Sequence, residues 1–186
     1  MNSLAAVRFV YSVMMSVAQT EAWQRGPIAG FEPLLMPVVH ALVQVREDLE
    51  RLAGDLSTDD LWARPGGAAS IGFHVRHTAG ALDRLFTYAR GEALSEAQRV
   101  WLRAEGDAGS PPAPAADVMV QVNSLIDRAL DQLRATSPDS LLEERRVGRA
   151  GLPATVLGLL FHAAEHATRH VGQAITTAKI LRGART

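Results

Sequence analysis

The sequence predicts an all-α fold. Apolar residues recur at helical spacing in four long segments, no run of β-branched and aromatic residues alternates with polar ones, and the Gly and Pro clusters fall between those segments. A half-buried strand needs alternation with period two, so its lack removes the sheet-based classes. Four long helices with connections of this size fit an antiparallel four-helix bundle with short connecting helices, a fold that places metals and ligands in its core.

The first stretch, Leu4 to Val17, is apolar enough to resemble the core of a secretory signal, but Arg8 interrupts it and no charged start precedes it. It is also shorter than the roughly 20 apolar residues of a membrane span. The expectation is an extra N-terminal helical segment packed on the domain, or an upstream start codon preceding Met15. Residues 1–30 are thus read as an N-terminal extension and residues 31–186 as the bundle.

Gly26-Pro27-Ile28-Ala29-Gly30 reads as a loop, after which Pro37 occupies the first turn of a helix running to about Leu52. Its stripe is Leu35, Val38, Val39, Leu42, Val45 and Leu49. Asp55 to Asp60 supplies caps for a short turn carrying Leu61 and Trp62, which Pro65-Gly66-Gly67 ends. Ser70 caps a second long helix, Ile71 to about Arg90, stopped by Gly91. A shorter helix after Ser95 carries Val100, Trp101 and Leu102, and both Trp62 and Trp101 read as core anchors. The segment from Gly106 to Pro114 is the most loop-like in the chain, with mobility expected there. A third long helix, Ala115 to about Arg134, turns Val118, Val122, Leu125, Ile126, Ala129 and Leu133 inward. Ser137 to Leu152 reads as a connection whose charged run, Glu143 to Arg146, is a solvated face. The fourth long helix starts near Pro153 and ends before Gly183.

Composition narrows the function. A chain of 186 residues, 47% hydrophobic and 21% charged, has enough apolar material for one buried core. There is no cysteine, so a disulfide framework, a thiolate zinc site and a cysteine nucleophile are excluded, and any metal must sit on His, Asp or Glu. A formal net charge of −1 leaves no basic face for a phosphate backbone, which argues against nucleic acid as a partner. The expectation is a soluble cytoplasmic protein with no membrane association.

The six histidines are therefore the informative residues. His166 and His170 stand four apart, one turn above each other on one helix face, so both can hold one ion, and His162 extends the row. The second long helix offers His74 and His77. His77 shares a face with Phe73, Gly80, Ala81 and Tyr88, small residues among them leaving room for an ion, so His77 is the preferred ligand and His74 the other candidate. Three imidazoles round a divalent cation satisfy lone pairs that would be costly to bury alone. Such a nitrogen set suits Zn²⁺, Ni²⁺, Fe²⁺ or Cu²⁺. It leaves a coordination position open for water or for a substrate thiolate, the pattern of catalytic sites.

Two protease motifs fit poorly. His166-x-x-x-His170 has the zincin spacing, but Ala167 stands where the general-base Glu belongs. His162-x-x-Glu165-His166 matches the inverted form, yet too little chain follows to supply its distant carboxylate ligand. Gln173, one turn past His170, is a candidate substrate-binding or ligand-supporting group. His40 can line the same cavity but suits a plain core or surface role better, and for Asp83 and Arg84 an intrahelical ion pair is expected.

These residues resemble the DinB-like, or DinB/YfiT-like, metalloenzyme family over roughly Trp23 to Leu181. The run His166-Ala-Thr-Arg-His170-Val-Gly172-Gln173 is similar to the family's H-x-x-x-H-x-G-Q. His77 in Ser70-Ile-Gly-Phe-His-Val-Arg-His77 falls where the family's first ligand is expected, and Trp62-Ala-Arg-Pro65-Gly66 resembles its preceding connection. The resemblance implies a four-helix bundle of the DinB/YfiT-like type, often a homodimer, with zinc or nickel on His77, His166 and His170. Members with known activities look like thiol-dependent S-transferases or isomerases using bacillithiol, mycothiol or glutathione.

The function expected is that of a metal-dependent enzyme in which one divalent ion activates a low-molecular-weight thiol or a water to act on a small-molecule substrate. The alternative is a non-catalytic metal- or small-ligand-binding bundle, since neither Glu165 nor Gln173 makes a convincing general base.

Overall fold

The structure is a computed structural model that describes residues 20–54 and 56–184, so the expected helix at Leu4 to Val17 lies outside the described residues. Four long helices form the body of the chain. Helix α1, Met36–Ala53, follows a 3₁₀ turn at Pro33–Leu35 and has Pro37 in its first turn, where no backbone donor is missed. It buries Val38, Val39, Leu42, Val45, Leu49 and Leu52, the stripe that the spacing predicts. The short α2, Thr58–Trp62, begins where the Ser57 hydroxyl accepts from the Asp60 amide.

Helix α3, Ile71–Ala89, starts in the same way: Ser70 accepts from the Phe73 amide at 3.1 Å. Helix α4, Glu96–Ala104, opens on a capping box between Ser95 and Gln98. Helix α5 spans Ala115–Ala135 and α6 spans Val156–Gly183. Helices α1 and α3 each pack against both α5 and α6, which encloses a single core containing Leu42, Val75, Leu82, Ile126, Leu133 and Leu160. The most extensive of these interfaces joins α3 to α6, the two helices that carry the histidine motifs.

Two local expectations are corrected. The connection before α6 contains an antiparallel hairpin, β1 Glu144–Val147 paired with β2 Leu152–Thr155, turned through Gly148 and Gly151 at positive φ. Four-residue strands are too short to display alternation, so the sequence carries no strand signal there. Pro153 consequently sits opposite Arg146 in the hairpin, and α6 begins later, where the Thr155 hydroxyl accepts from the Gly158 amide. Within the charged run Arg145 is not a solvated residue: its Nε donates to the Ala89 carbonyl at 2.8 Å and ties the hairpin to the end of α3. The Gly106–Pro114 segment, expected to be mobile, is anchored at two carbonyls, Asp107 accepting from Arg76 at 2.6 Å and Ala113 from the Trp62 indole at 2.9 Å.

Among the described residues no helix is long and apolar enough to cross a membrane. Truncating a buried leucine of the α3–α6 interface region should be costly. Leu160→Ala is expected to lower unfolding free energy by about 2–5 kcal/mol in a denaturant titration. Leu142→Ala, at a residue 78% exposed, should stay within about 0.5 kcal/mol of the parent.

Candidate metal centre

His166 and His170 occupy one face of α6, and His74 and His77 stand three residues apart on α3. Small buried residues are frequent on both helices, Ala79 and Ala81 on α3 and Ala163, Ala164 and Ala167 on α6. The four rings meet between them. His77, His166 and His170 each offer a ring nitrogen, and the three nitrogens lie within 4.8 Å of one another. His77 Nε2 faces His166 Nε2 at 2.9 Å, and the His170 ring centroid lies 4.5 Å from those of both.

The residues fit a metal ion. Nitrogens bound tetrahedrally at about 2.0–2.1 Å are roughly 3.3 Å apart, so the set needs only small adjustments to share one ion. His74 stands beside the triad, its Nδ1 3.1 Å from His170 Nδ1, which leaves His170 Nε2 for an ion. His74 is 7% exposed, more buried than His77, and so acts as a neighbour of the ligand set. His166 Nδ1 is buried without a partner among the described residues.

The surroundings of three of the rings disfavour their charged form. Burial is the main cause that lowers the pKa of His74, His166 and His170, and the neighbouring histidines add to it; for His170 the value falls from 6.5 to about 4. Neutral imidazoles present the lone pairs that a cation requires.

The residue that sequence reasoning missed is Glu105. It sits at the end of α4, only 2% exposed, and its carboxylate accepts from His77 Nδ1 at 2.6 Å and from Arg84 Nη1 at 2.6 Å. Orienting a ligating histidine through its other nitrogen is how supporting carboxylates fix tautomer and ring position. The approach depends on Gly80, because a Cβ there would overlap the Glu105 carboxylate and come within 2.6 Å of the Trp101 ring. The ion pair expected within α3 is thereby corrected: Arg84 pairs across to Glu105, while the Asp83 carboxylate accepts from Gln98 at 2.8 Å. A lone Glu before a Gly gives no sequence signal; spacing four residues after Trp101 is the faint one.

Aromatic residues frame the centre. Phe73 stacks on His77 with centroids 5.3 Å apart and planes 16° from parallel. Trp62 and Trp101 are half-buried and pack against the core, as expected of anchors, and they also flank Arg76. Arg76 lies between their rings at 5.9 and 5.3 Å, and Trp101 donates its indole N–H to the Arg76 carbonyl.

The remaining candidates lie outside the cluster. His162 is exposed and pairs with Glu165 at 3.4 Å, at the rim of the row. Gln173 is exposed and makes no hydrogen bond among the described residues. His40 plays the plain role, its Nε2 donating to the Gly26 carbonyl at 2.9 Å. Glu165 is held ionised mainly by its bond from Arg169, with its carboxylate directed along the helix surface.

A family model described as the DinB superfamily matches residues 41–174, a span that contains every one of these centre residues. Among solved structures, the chain is similar to a conserved protein from Enterococcus faecalis. That likeness has 16% identity and a TM-score of 0.66, over 80% of this chain and 97% of that one, and so speaks for the fold. No curated protein matches the chain.

Two outcomes are expected. Glu105→Gln should weaken zinc affinity by about 10–100-fold in a chelator-competition titration, and Gly80→Ala should shift it in the same direction. Unchanged affinity in both would remove Glu105 from the centre. In the metal-stripped protein, the unfolded chain protonates its histidines below pH 6.5 whereas folded His170 resists until about pH 4. The thermal midpoint should therefore fall as pH drops through that window, and His170→Gln should flatten the slope.

Proposed function

This chain belongs to the DinB superfamily, and we propose that His77, His166 and His170 hold one divalent ion, Zn²⁺ or Ni²⁺, that activates a small thiol for transfer to a small-molecule electrophile. The observation that carries the reading is the convergence of three imidazole nitrogens from α3 and α6, with no carboxylate in the group among the described residues. Three protein ligands leave a position for an exogenous group, and a bound ion would supply Lewis acidity there.

Thiol is favoured over water by what surrounds the site. The nearest buried carboxylate, Glu105, is occupied by His77 and Arg84, and Glu165 is occupied by Arg169, so among the described residues neither of these carboxylates is free to act as a general base beside the ion. A thiol, with a pKa near 8.5, loses its proton to a cation far more readily than water does. The chain's own contribution is to hold His77 by Glu105, to disfavour protonation of His166 and His170 by burial and to stack Phe73 over His77. On this reading the protein works in the cytoplasm, as a homodimer. His162 and Gln173, on the exposed side of α6, are the residues placed to meet the thiol or its acceptor.

The same lack of a free carboxylate favours one other reading, a bundle that binds metal without catalysis. The two are separated by metal analysis and a thiol screen. Stoichiometric metal that His166→Ala abolishes while the far-UV helical signal persists is the expected result, with only modest loss of thermal stability on chelation. In the cobalt-substituted protein, glutathione, bacillithiol or mycothiol should produce a thiolate-to-metal absorption band, and one of them should support metal-dependent turnover of an electrophile. Full metal retention in His166→Ala would refute the ligand set, and a bound metal without turnover on any thiol or hydrolysable ester would establish the binding reading.

A further inference from the structure

A cavity of about 410 Å³ opens between α3, α4 and α5, lined by Arg84, Thr87, Gln98, Trp101, Leu125 and Arg128 among others, and no histidine borders it. Its size falls in the range of small-molecule sites, roughly 300–1,000 Å³. Arg84 sets its chemistry. That side chain is 11% exposed, donates Nη1 to Glu105, and makes no other hydrogen bond among the described residues. The rest of its fork has no protein acceptor and is not fully enclosed, so a ligand in the cavity can supply one.

We propose that this cavity is a second ligand site, taking a small organic monocarboxylate whose carboxylate accepts from Arg84 and Arg128 and whose apolar body lies on Trp101 and Leu125. Arg90 is not available for that role, being bonded to Glu92, Gln132 and the Phe86 carbonyl. Arg128 is available: it is 64% exposed in its side chain and only loosely paired, 3.8 Å from Asp83. The lining holds three arginines, 84, 90 and 128, against Asp83 and Glu92, with Glu105 behind Arg84, so it offers guanidinium edges without a large surplus of positive charge. A single negative charge suits that lining, whereas a dianionic phosphate brings a second charge near Asp83. A planar carboxylate matches the two-pronged edge of a guanidinium, and the indole face beside it matches an aromatic or aliphatic body.

The site stands on this geometry alone and does not require an ion on the histidines. Occupancy would nevertheless reach them, because Arg84 is shared between the cavity and Glu105, and Glu105 holds His77.

The test is a titration of the full chain with benzoate, followed by the indole N–H resonances of Trp23, Trp62 and Trp101, assigned with Trp101→Phe. Benzoate is expected to move the Trp101 resonance saturably while that of exposed Trp23 stays in place. Acetate should bind more weakly than benzoate, and inorganic phosphate more weakly still. Ala97→Phe, at an exposed residue on the cavity wall, should weaken benzoate by about tenfold or more without lowering the thermal midpoint, and Arg84→Lys should weaken it similarly. A Trp101 resonance that does not saturate, equal affinity for acetate and benzoate, tighter binding of phosphate, or full affinity in Ala97→Phe would each overturn the proposal.

Discussion

Four imidazoles share one helix interface, and their need for partners constrains everything near them. A neutral imidazole has one donor and one acceptor, and these rings are buried or half-buried. His74 and His170 meet through Nδ1, His77 and His166 meet through Nε2, and His77 uses its remaining nitrogen on Glu105. With His77 donating Nδ1–H to Glu105, each facing pair can share one proton as an ordinary N–H···N hydrogen bond, and His166 Nδ1 is left buried without a partner among the described residues. A cation would take the place of the shared protons, with the facing lone pairs as its ligands.

The support for this cluster comes from a part of the chain outside the two helices. Helix α4 and the segment after it bring Glu105 to His77, Trp101 to Gly80, and the Asp107 carbonyl to Arg76. Trp62 approaches Gly72 so closely that a Cβ there would lie 2.6 Å from its ring. Glycines at 72 and 80 thus exist for close approach on the outer face of α3, and the room they leave is filled by tryptophan rings rather than by an ion. The loop that composition marks as irregular is held because two of its carbonyls accept from the side chains of Arg76 and Trp62.

Arg84 belongs to two environments. On one side it neutralises Glu105, which lets a carboxylate be buried against His77. On the other it borders a cavity walled by Trp101 and Leu125. A chain of three side chains, Arg84, Glu105 and His77, therefore connects a potential ligand pocket to the histidine centre, and the length of each link is a single hydrogen bond.

Much was legible from sequence because helices write their burial pattern locally. The stripes of α1 and α5, the Ser70 and Ser95 caps and the four-residue step from His166 to His170 are all consequences of 3.6 residues per turn. The family resemblance rested on the same local runs. The hairpin at Glu144–Thr155 escaped because strands of four residues carry no period, and the Arg84–Glu105 pair escaped because its partners lie 21 residues apart on different helices. Sequence alone thus determined the helical class and the residues able to bind a cation, both of which depend on neighbours within one or two turns. Only the tertiary structure decided that His77 joins the triad while His74 stands behind His170, that Glu105 orients the centre, and that His40 does not take part. Those outcomes depend on how helices rotate and approach across the core, a distance over which the periodicity of a single helix carries no information.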